Sequence, residues 1–597
     1  MRFLPLAIIL GLYLAATTAQ SGRTKLQACP LLGQQYPPPV QLTAEPKFQA
    51  AAKSLNAVLD KSVKQSPYNE TSFSVGVFST DDDQLIYQYH YTSAAVRNSS
   101  TGTKAVDADS IYRIGSISKL LTVYLFLISQ GDRKWDVPVV EYLPQLRDLS
   151  EQSWNSMTPN WEDITLGDLA SQMAGLARDY GLADLAPTVN GLVPLPTSLK
   201  NTFPNITEDE VPKCNLLTPD GGFARCTVDG KFQTPHAQVR CVADLRIEYL
   251  RGVASESPIF SAAYTPVYSN EAFAILGLAL QNITGIALET LFDDSIVKPL
   301  KLEGTSWTVP EEVTDNALIP GDPVEVGWSN EFGPFSPAGG FFSSTRDAAR
   351  IGRAMLTSEL LSKTQTNRWM KPTSFVEDFA QGVGRPWEIY RLKVNGASVD
   401  VYTKGGDWGA YHTLFALIPT FNVGFTVFTA PDLGVAGSIR EAVPAFLTDN
   451  FLPVLDEIAE DQATANFAGR YASSEANSSM TVSTTSSRPG LMVTQWINNG
   501  VDLLGFLDTV FPNMSYRIVP NQLYSGDRIG FTSFYQAAAA PPDDEGIWLF
   551  NCPGWFAVDA LTFGNIPVGQ MVFDVGKGGK AGSVELRGMR VMLEKQF

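Results

Sequence analysis

The chain has 597 residues, 44% of them hydrophobic and 18% charged, which is enough apolar material for a large core with a second domain and too little charge for a disordered chain. The 44 Lys and Arg against 62 Asp and Glu give a formal net charge of −18, which disfavours nucleic acid and anionic membrane as partners. No basic cluster offsets that balance.

The N-terminus reads as a targeting segment: Arg2 supplies the positive end, Leu4 to Ala16 is apolar, and Thr17-Thr18-Ala19 are small residues suited to cleavage before Gln20. The run is too short for a membrane anchor, and no other stretch of about 20 apolar residues follows. The expectation is a signal peptide over 1–19 and a secreted, extracellular chain with no membrane partner. Asn-x-Ser/Thr sequons at Asn69, Asn98, Asn205, Asn282, Asn477 and Asn513 suit glycosylation on such a route. The five cysteines are Cys29, Cys214, Cys226, Cys241 and Cys552; at least one disulfide is expected, with one thiol left over. Cys214, Cys226 and Cys241 are near neighbours, so a local bridge is expected there; neither a Cys-x-x-Cys pair nor a nearby His pair suggests zinc.

Along the chain, Lys47 to Lys64 has helical spacing, and Phe73–Phe78 with Leu85–Tyr89 reads as a hairpin around Asp81-Asp82-Asp83. Arg113-Ile114-Gly115-Ser116-Ile117-Ser118-Lys119 is a turn entering an apolar helix that is expected to be buried nearly all round. Ile164 to Leu176 reads as a helix ending in the Ala174-Gly175-Leu176 turn. About 180–256 is rich in Pro, Gly and Asn and reads as a long insertion, edging the site or without a role in it. Helices follow at Asn270 to Leu280, Arg346 to Leu356 and Ile439 to Ile458, and strands at Val399–Thr403, Thr413–Ile418 and Val423–Thr429. The acidic, Ala-rich run Asp456 to Asn466 places a domain boundary near Gln462. Beyond it, Phe467–Tyr471, Met480–Val482, Leu491–Val493, Trp548–Phe550 and Met571–Phe573 read as short strands of a small all-β domain.

Residues three apart on a helix share a face, so Ser116 Oγ and Lys119 Nζ are expected to meet. Burial lowers a lysine pKa and makes the amine a usable proton acceptor, and a serine beside it an activated nucleophile. Ser-x-x-Lys arises by chance about twice in a chain this long, and Ser295-Ile296-Val297-Lys298 reads as a solvated lysine near a helix end. What sets Ser116 apart is its partners. Tyr268-Ser269-Asn270 brings a phenol, which two nearby ammonium groups would ready for proton shuttling, and an amide that can hold a substrate side chain. Lys404-Gly405-Gly406-Asp407 follows a strand, where glycines admit close approach of an acyl group. Lys404 can hold the tyrosine's charge or a substrate carboxylate. A Ser-His-Asp triad is a poor competitor, because the only histidines are His90, His236 and His412 and no Gly-x-Ser-x-Gly occurs. The same shortage leaves no metal site, and no cofactor is called for.

The three motifs together resemble the serine penicillin-recognising enzymes: class C β-lactamases, DD-peptidases and related esterases. The resemblance runs from about Lys47 to Asp456, and Ile164–Leu176 and Ala338-Gly339-Gly340 to Arg346-Asp347 look like lesser family stretches. It implies an α+β fold of β-lactamase/DD-peptidase type, an antiparallel sheet with flanking helices beside a helical subdomain. The all-β tail is similar to the extra C-terminal domain of some fungal secreted members. The implied domains are 20–462, with the insertion at about 180–256, and 463–597. The implied roles are Ser116 as nucleophile, Lys119 as its proton partner, Tyr268 as general base then acid, and Asn270, Lys404, Gly406 and Asp407 as substrate-binding residues. The backbone N–H groups of Ser116 and Asp407 would form the oxyanion hole.

Two departures weigh against β-lactams as natural substrates: Gly405 lacks the hydroxyl usual at its position, and Asp407 adds a negative charge. The expected function is a secreted serine hydrolase acting on a small ester, amide or peptide through a Ser116 ester. Its rivals are an acyltransferase or transesterase of secondary metabolism and a non-catalytic secreted binding protein.

Overall fold

The structure, a computed structural model, describes residues 33–152, 158–181, 225–228, 231–233, 242–310, 315–432, 439–485, 488–512, 514–537, 555, 558, 561–576 and 578–596. Outside them lie the signal-like segment, Cys29, Cys214, Cys241, Cys552, the side chain of Cys226, Asn205, Asn513 and the strand expected at Trp548–Phe550. The expected local disulfide falls there too. The chain forms two compact units: Ala52–Arg391 with Asp400–Leu447, and Met1–Ala51 with Leu392–Val399 and Thr448–Phe597.

The first unit is built on an eight-stranded sheet. Its strands are β1 (Thr71–Ser79), β2 (Leu85–Tyr91), β5 (Ser374–Phe375), β6 (Gln381–Val383), β7 (Glu388–Val394), β8 (Ala397–Trp408), β9 (Tyr411–Ile418) and β10 (Val423–Pro431), in the order β2-β1-β10-β9-β8-β7-β6-β5. A separate small pair joins β3 (Ile111–Arg113) to β4 (Phe342–Ser344). Strands β1 and β10 pair antiparallel with Val75 opposite Val427, and every residue of both is buried. A central strand covered on both faces buries its polar residues too, Ser74 in β1 and Thr426 in β10, so the polar positions within Phe73–Phe78 mark no solvent face.

Helix α1 (Pro46–Ser62) covers most of the stretch read over Lys47 to Lys64; helix α2 (Ile117–Gln130) has its first eleven residues, Ile117 to Leu127, buried, and ends at Gly131, whose φ of 72° suits glycine. Its aromatic residues are packed by Trp135, stacked on Phe126 at 4.3 Å, and Trp369, stacked on Tyr124 at 5.3 Å. Helix α5 (Glu271–Thr284) is buried from Glu271 to Leu280. Helix α6 (Thr345–Thr357) is amphipathic: Ala348, Ala349, Ile351, Met355 and Leu356 are buried, and Ser344 caps its start. The second lysine motif ends on an exposed side chain, Lys298, held by Asp294 at 2.6 Å.

Several expectations are corrected. The helix read over Ile164–Leu176 is only α3 (Leu166–Ala170); a Thr165/Asp168 capping box starts it, and Gln172, with φ 64°, has already left helical geometry. The segment read as a patternless insertion contains a hairpin, Arg225–Val228 with Lys231–Gln233, and α4 (Val242–Ser255), whose Tyr249, Leu250, Val253 and Ala254 lie in the main core. The strand read as Val399–Thr403 is longer, so Lys404 to Asp407 lie within β8 rather than after it. Paired glycines break no strand whose backbone is tied on both sides. The helix read over Ile439–Ile458 is interrupted by a π-helical segment, Leu447–Phe451, between Pro444 and Pro453, each of which lacks a backbone donor. The boundary read near Gln462 falls within α7 (Leu452–Phe467).

In the second unit the strands are β11 (Gly469–Ser473), β12 (Ser478–Thr485), β13 (Arg488–Asn498), β14 (Met514–Ser525), β15 (Arg528–Ala537), β16 (Met571–Val575), β17 (Ala581–Leu586) and β18 (Val591–Lys595). They pair in the order β12-β11-β18-β17-β16-β15-β14-β13, with the two-residue strand Val501–Asp502 added on β13, and β13 pairs back onto β12, so the sheet closes into an antiparallel barrel. Inward residues such as Tyr471, Met480, Trp496, Phe531 and Phe573 fill it together with Phe467 from α7. No single helix among the described residues is long and apolar enough to cross a membrane; the one bent pair that passes by length, Glu271–Thr284 with Leu288–Leu300, turns by 81°.

Candidate active site

The turn before α2 is fixed by its backbone partners. Ile114 N–H donates to Phe341 O at 3.0 Å, Ser118 Oγ donates to Gly115 O at 2.7 Å and accepts from Phe341 N–H at 3.0 Å, and Thr122 Oγ1 donates to Pro337 O at 2.9 Å. Gly115 sits at φ +49°, and a Cβ there would lie 2.6 Å from Asp407 N, so both conformation and space demand glycine. Ser116 follows at the helix start. Lys119, one turn on and fully buried, donates to Ser116 Oγ at 3.0 Å, to Asn270 Oδ1 at 2.5 Å and to Ala338 O at 2.6 Å. All three ammonium protons are thus placed, which is how a charge without water is tolerated.

Tyr268 is held from the turn after α3. Gln172 accepts Val267 N–H on its carbonyl at 2.9 Å and Ser269 N–H on Oε1 at 2.7 Å, while Asn270 N–H donates to Arg178 O at 2.8 Å. Ser269 Oγ donates to Ala177 O at 2.7 Å and accepts Ala272 N–H, in the first turn of α5, at 3.1 Å. So fixed, the Tyr268 hydroxyl donates to Ser116 Oγ at 2.7 Å. Asn270 Nδ2 donates to Asp179 Oδ1 at 2.6 Å, which orients the amide so that its oxygen meets Lys119 and leaves one N–H for another acceptor.

The third piece is β8. Lys404 is buried; it donates to Glu388 Oε1 at 2.5 Å and to Gly405 O at 2.8 Å, and its Nζ lies 5.4 Å from the centre of the Tyr268 ring. Gly406 passes so near the nucleophile turn that a Cβ would stand 2.0 Å from Ile114 O and 2.9 Å from Ser116 N. Thr413 Oγ1 ties the two together by donating to Ile114 O at 2.9 Å and Gly406 O at 3.1 Å. The backbone nitrogens of Ser116 and Asp407 therefore lie at one place, the arrangement an oxyanion requires. Gly406→Ala is expected to force strand and turn apart by about 1 Å and lower kcat/KM by about 10²-fold. Steady-state kinetics beside a thermal melt would check this, the melt separating displacement from unfolding.

Charge is finely set here. Burial pushes the Lys119 amine down, with Tyr268 opposing and Lys404 adding to the shift. For Tyr268, burial alone would raise the phenol, but the Lys119 and Lys404 ammonium groups outweigh it and bring it down to about 8. Burial would lower Lys404; the Glu388 carboxylate and then Tyr268 hold it above an ordinary lysine. With Tyr268 as base the phenolate is the active form, so kcat/KM rises with pH, tenfold per unit well below about 8, and levels above it. A pH–rate profile of kcat/KM checks that rise.

The charge expected from Asp407 is corrected: Arg440 Nη1 donates to both its oxygens at 2.6 Å, and His412 Nδ1 lies 2.7 Å away, so the carboxylate is paired. Burial would raise Asp407, yet its bonds with His412 and Arg440 hold it below the ordinary value. The structure brings Ser116, Lys119, Tyr268, Asn270, Lys404, Gly406 and Asp407 into one place. Sequence reasoning missed Asp179, Glu388 and Arg440. Asp179 had a weak signal, four residues past Gly175 in a turn already singled out; Glu388 and Arg440 had none. Among the sequons, Asn98 and Asn477 are exposed, Asn69 is half-buried, and Asn282 is exposed with its Nδ2 donating to Tyr142 O at 2.9 Å.

The chain is similar to known proteins over both of its parts. A family model described as "Beta-lactamase" matches residues 59–434, and one described as "Beta-lactamase-like-like, C-terminal domain" matches 459–597. The chain is 27% identical to "Beta-lactamase-like protein" of Arthroderma benhamiae, over 96% of this chain and 97% of that protein. It is 24% identical to "Probable hydrolase M10" of a Phoma species, over 94% and 90%. It is also 24% identical to "D-alanyl-D-alanine-carboxypeptidase/endopeptidase AmpH" of Escherichia coli K12, over 57% and 76%.

Proposed function

The chain belongs to the β-lactamase family, a family of serine hydrolases, and from that premise we propose that it is a secreted hydrolase of small esters, amides or peptides working through an acyl ester on Ser116. The observation that carries this reading is the double hydrogen bond on one hydroxyl: Lys119 at 3.0 Å and Tyr268 at 2.7 Å on Ser116 Oγ. The Tyr268 phenolate takes the Ser116 proton as Oγ attacks the carbonyl carbon. The oxyanion gathers the N–H groups of Ser116 and Asp407. Tyr268 then hands its proton to the leaving oxygen or nitrogen, and the acyl group stays on Ser116. Tyr268, again a phenolate, takes a proton from water as the water oxygen attacks the ester carbon; the bond to Ser116 Oγ breaks, Oγ takes that proton back, and the acid is freed. Lys119 and Lys404 keep the phenolate stable through both halves; no separate deacylation carboxylate is required.

The name "Probable hydrolase" carried by the Phoma relative favours water as acceptor. An acyltransferase is the second reading: with an added alcohol it would make the new ester in preference to acid, and a hydrolase would not. The decisive experiment is mass spectrometry of the intact protein after exposure to a fluorophosphonate and to an ester panel. An adduct on Ser116 supports the reading; a folded, unlabelled Ser116 favours a non-catalytic binding protein. Secretion is tested by expressing the full chain and asking for a mature N-terminus at Gln20 in the medium, with glycan at Asn98 and Asn477, the exposed sequons whose side chains stand clear of other bonds.

A further inference from the structure

We propose that Glu388 sets substrate choice at this site: by occupying Lys404 it turns away acyl donors that carry a carboxylate on the leaving-group side, which leaves neutral esters and amides as the substrate class. The inference rests on the acyl-Ser116 reading.

Among the described residues, the rim cations Lys404, Arg440 and Arg178 each have a carboxylate partner. Lys404, 2% exposed, gives one N–H to Glu388 Oε1 and another to the carbonyl of the next residue, Gly405. Glu388 Oε2 also accepts Gly405 N–H at 3.0 Å, so one carboxylate binds the lysine and the neighbouring backbone donor together. Gly405 has no side chain to offer instead; a Cβ there would lie 3.6 Å from Glu388 Oε2 and 4.0 Å from Arg440 Nη1. Arg440, the next cation along, is held by both oxygens of Asp407. Lys404 with Glu388 and Arg440 with Asp407 cancel pairwise. Tyr268 returns the proton to the leaving group, and Lys404 lies 5.4 Å from its ring, so this neutral rim is the leaving-group side. Glu388 is 35% exposed, so an arriving carboxylate meets a like charge before it meets the lysine. Arg178, 68% exposed and 4.8 Å from the Tyr268 ring, is held by Asp179 at 3.4 Å.

The test uses two esters of one acylated glycine, a phenyl ester and its 3-carboxyphenyl counterpart. The wild-type protein is expected to favour the neutral ester at least about tenfold in kcat/KM, and raising salt from about 0.05 to about 0.5 M is expected to shrink that preference by screening. Glu388→Gln frees Lys404 and is expected to cut the preference at least about tenfold, chiefly through a lower KM for the carboxylate ester. Glu388→Asp keeps the charge and is expected to keep the preference, which a merely structural role for Glu388 would not produce. Equal rates for the two esters in the wild type, or a Glu388→Gln ratio unchanged while both esters turn over, overturn the inference and leave the acyl-Ser116 reading standing. No turnover of either ester together with an unlabelled Ser116 overturns that reading, and the inference with it. Should Glu388→Gln fail to fold, the salt dependence of the wild-type preference decides: a preference that salt leaves unmoved overturns the proposal.

Discussion

Ser116→Ala is expected to abolish turnover, by about 10⁶-fold in kcat, the scale reached when a nucleophile that works as one unit with its base is removed. Folding should be nearly untouched. The substitution deletes one partly exposed oxygen, and Lys119 keeps Asn270 Oδ1 at 2.5 Å and Ala338 O at 2.6 Å, so no buried charge is stranded. Stability is therefore expected to change by less than about 1 kcal/mol, the net worth of an ordinary hydrogen bond. Urea unfolding reads the stability, and ester hydrolysis reads the rate. A variant that folds and retains more than about one part in a thousand of the rate would place the nucleophile elsewhere, since only about a millionth is expected to remain once the nucleophile is gone.

Tyr268→Phe is expected to slow acylation by about 10²–10⁴-fold, the usual contribution of a positioned acid–base group. The ring is kept, and with it the approaches of Lys119 at 5.0 Å, Lys404 at 5.4 Å and Arg178 at 4.8 Å, so packing and cation–π attraction persist. The group lost is the O–H on Ser116 Oγ at 2.7 Å. The rise of kcat/KM through pH of about 8 should vanish along with the phenol. The alternative base is Lys119, whose amine burial also pushes down. A near-normal rate with the pH rise intact would assign the proton to that lysine. Single-turnover burst kinetics separate acylation from deacylation.

The strands and buried helices are legible in the sequence because their burial is periodic or total. Phe73 to Phe78 and Val423 to Thr429 read as strands, and the apolar run after Lys119 reads as a helix with little polar surface. The helix Val242–Ser255 escapes because it follows a Pro- and Gly-rich stretch and carries charged residues among its core-facing Tyr249, Leu250 and Val253. The stretch Ile164–Leu176 reads as too long a helix because apolar spacing does not reveal the left-handed Gln172 beyond its end. In the second unit the short strands are visible as alternation, whereas the β12–β13 pairing that closes the ring is a matter of strand order, which alternation leaves open.

Alone, then, the sequence determined which chemistry was on offer: a serine one helical turn from a lysine, a tyrosine before a helix, a lysine before two glycines, and too few histidines for the common alternative. Local spacing carries that information, because a helix fixes what lies three residues away. Only the tertiary structure decided that these pieces converge and what charge each carries when they do. Glu388 and Arg440 reach the site from a neighbouring strand and a later helix, at no set distance in sequence from the groups they pair with, and ammonium groups from two other segments, outweighing burial, bring the Tyr268 phenol to about 8. Coulomb energy depends on distance in space and on how much water is excluded, and neither is written in the order of the residues.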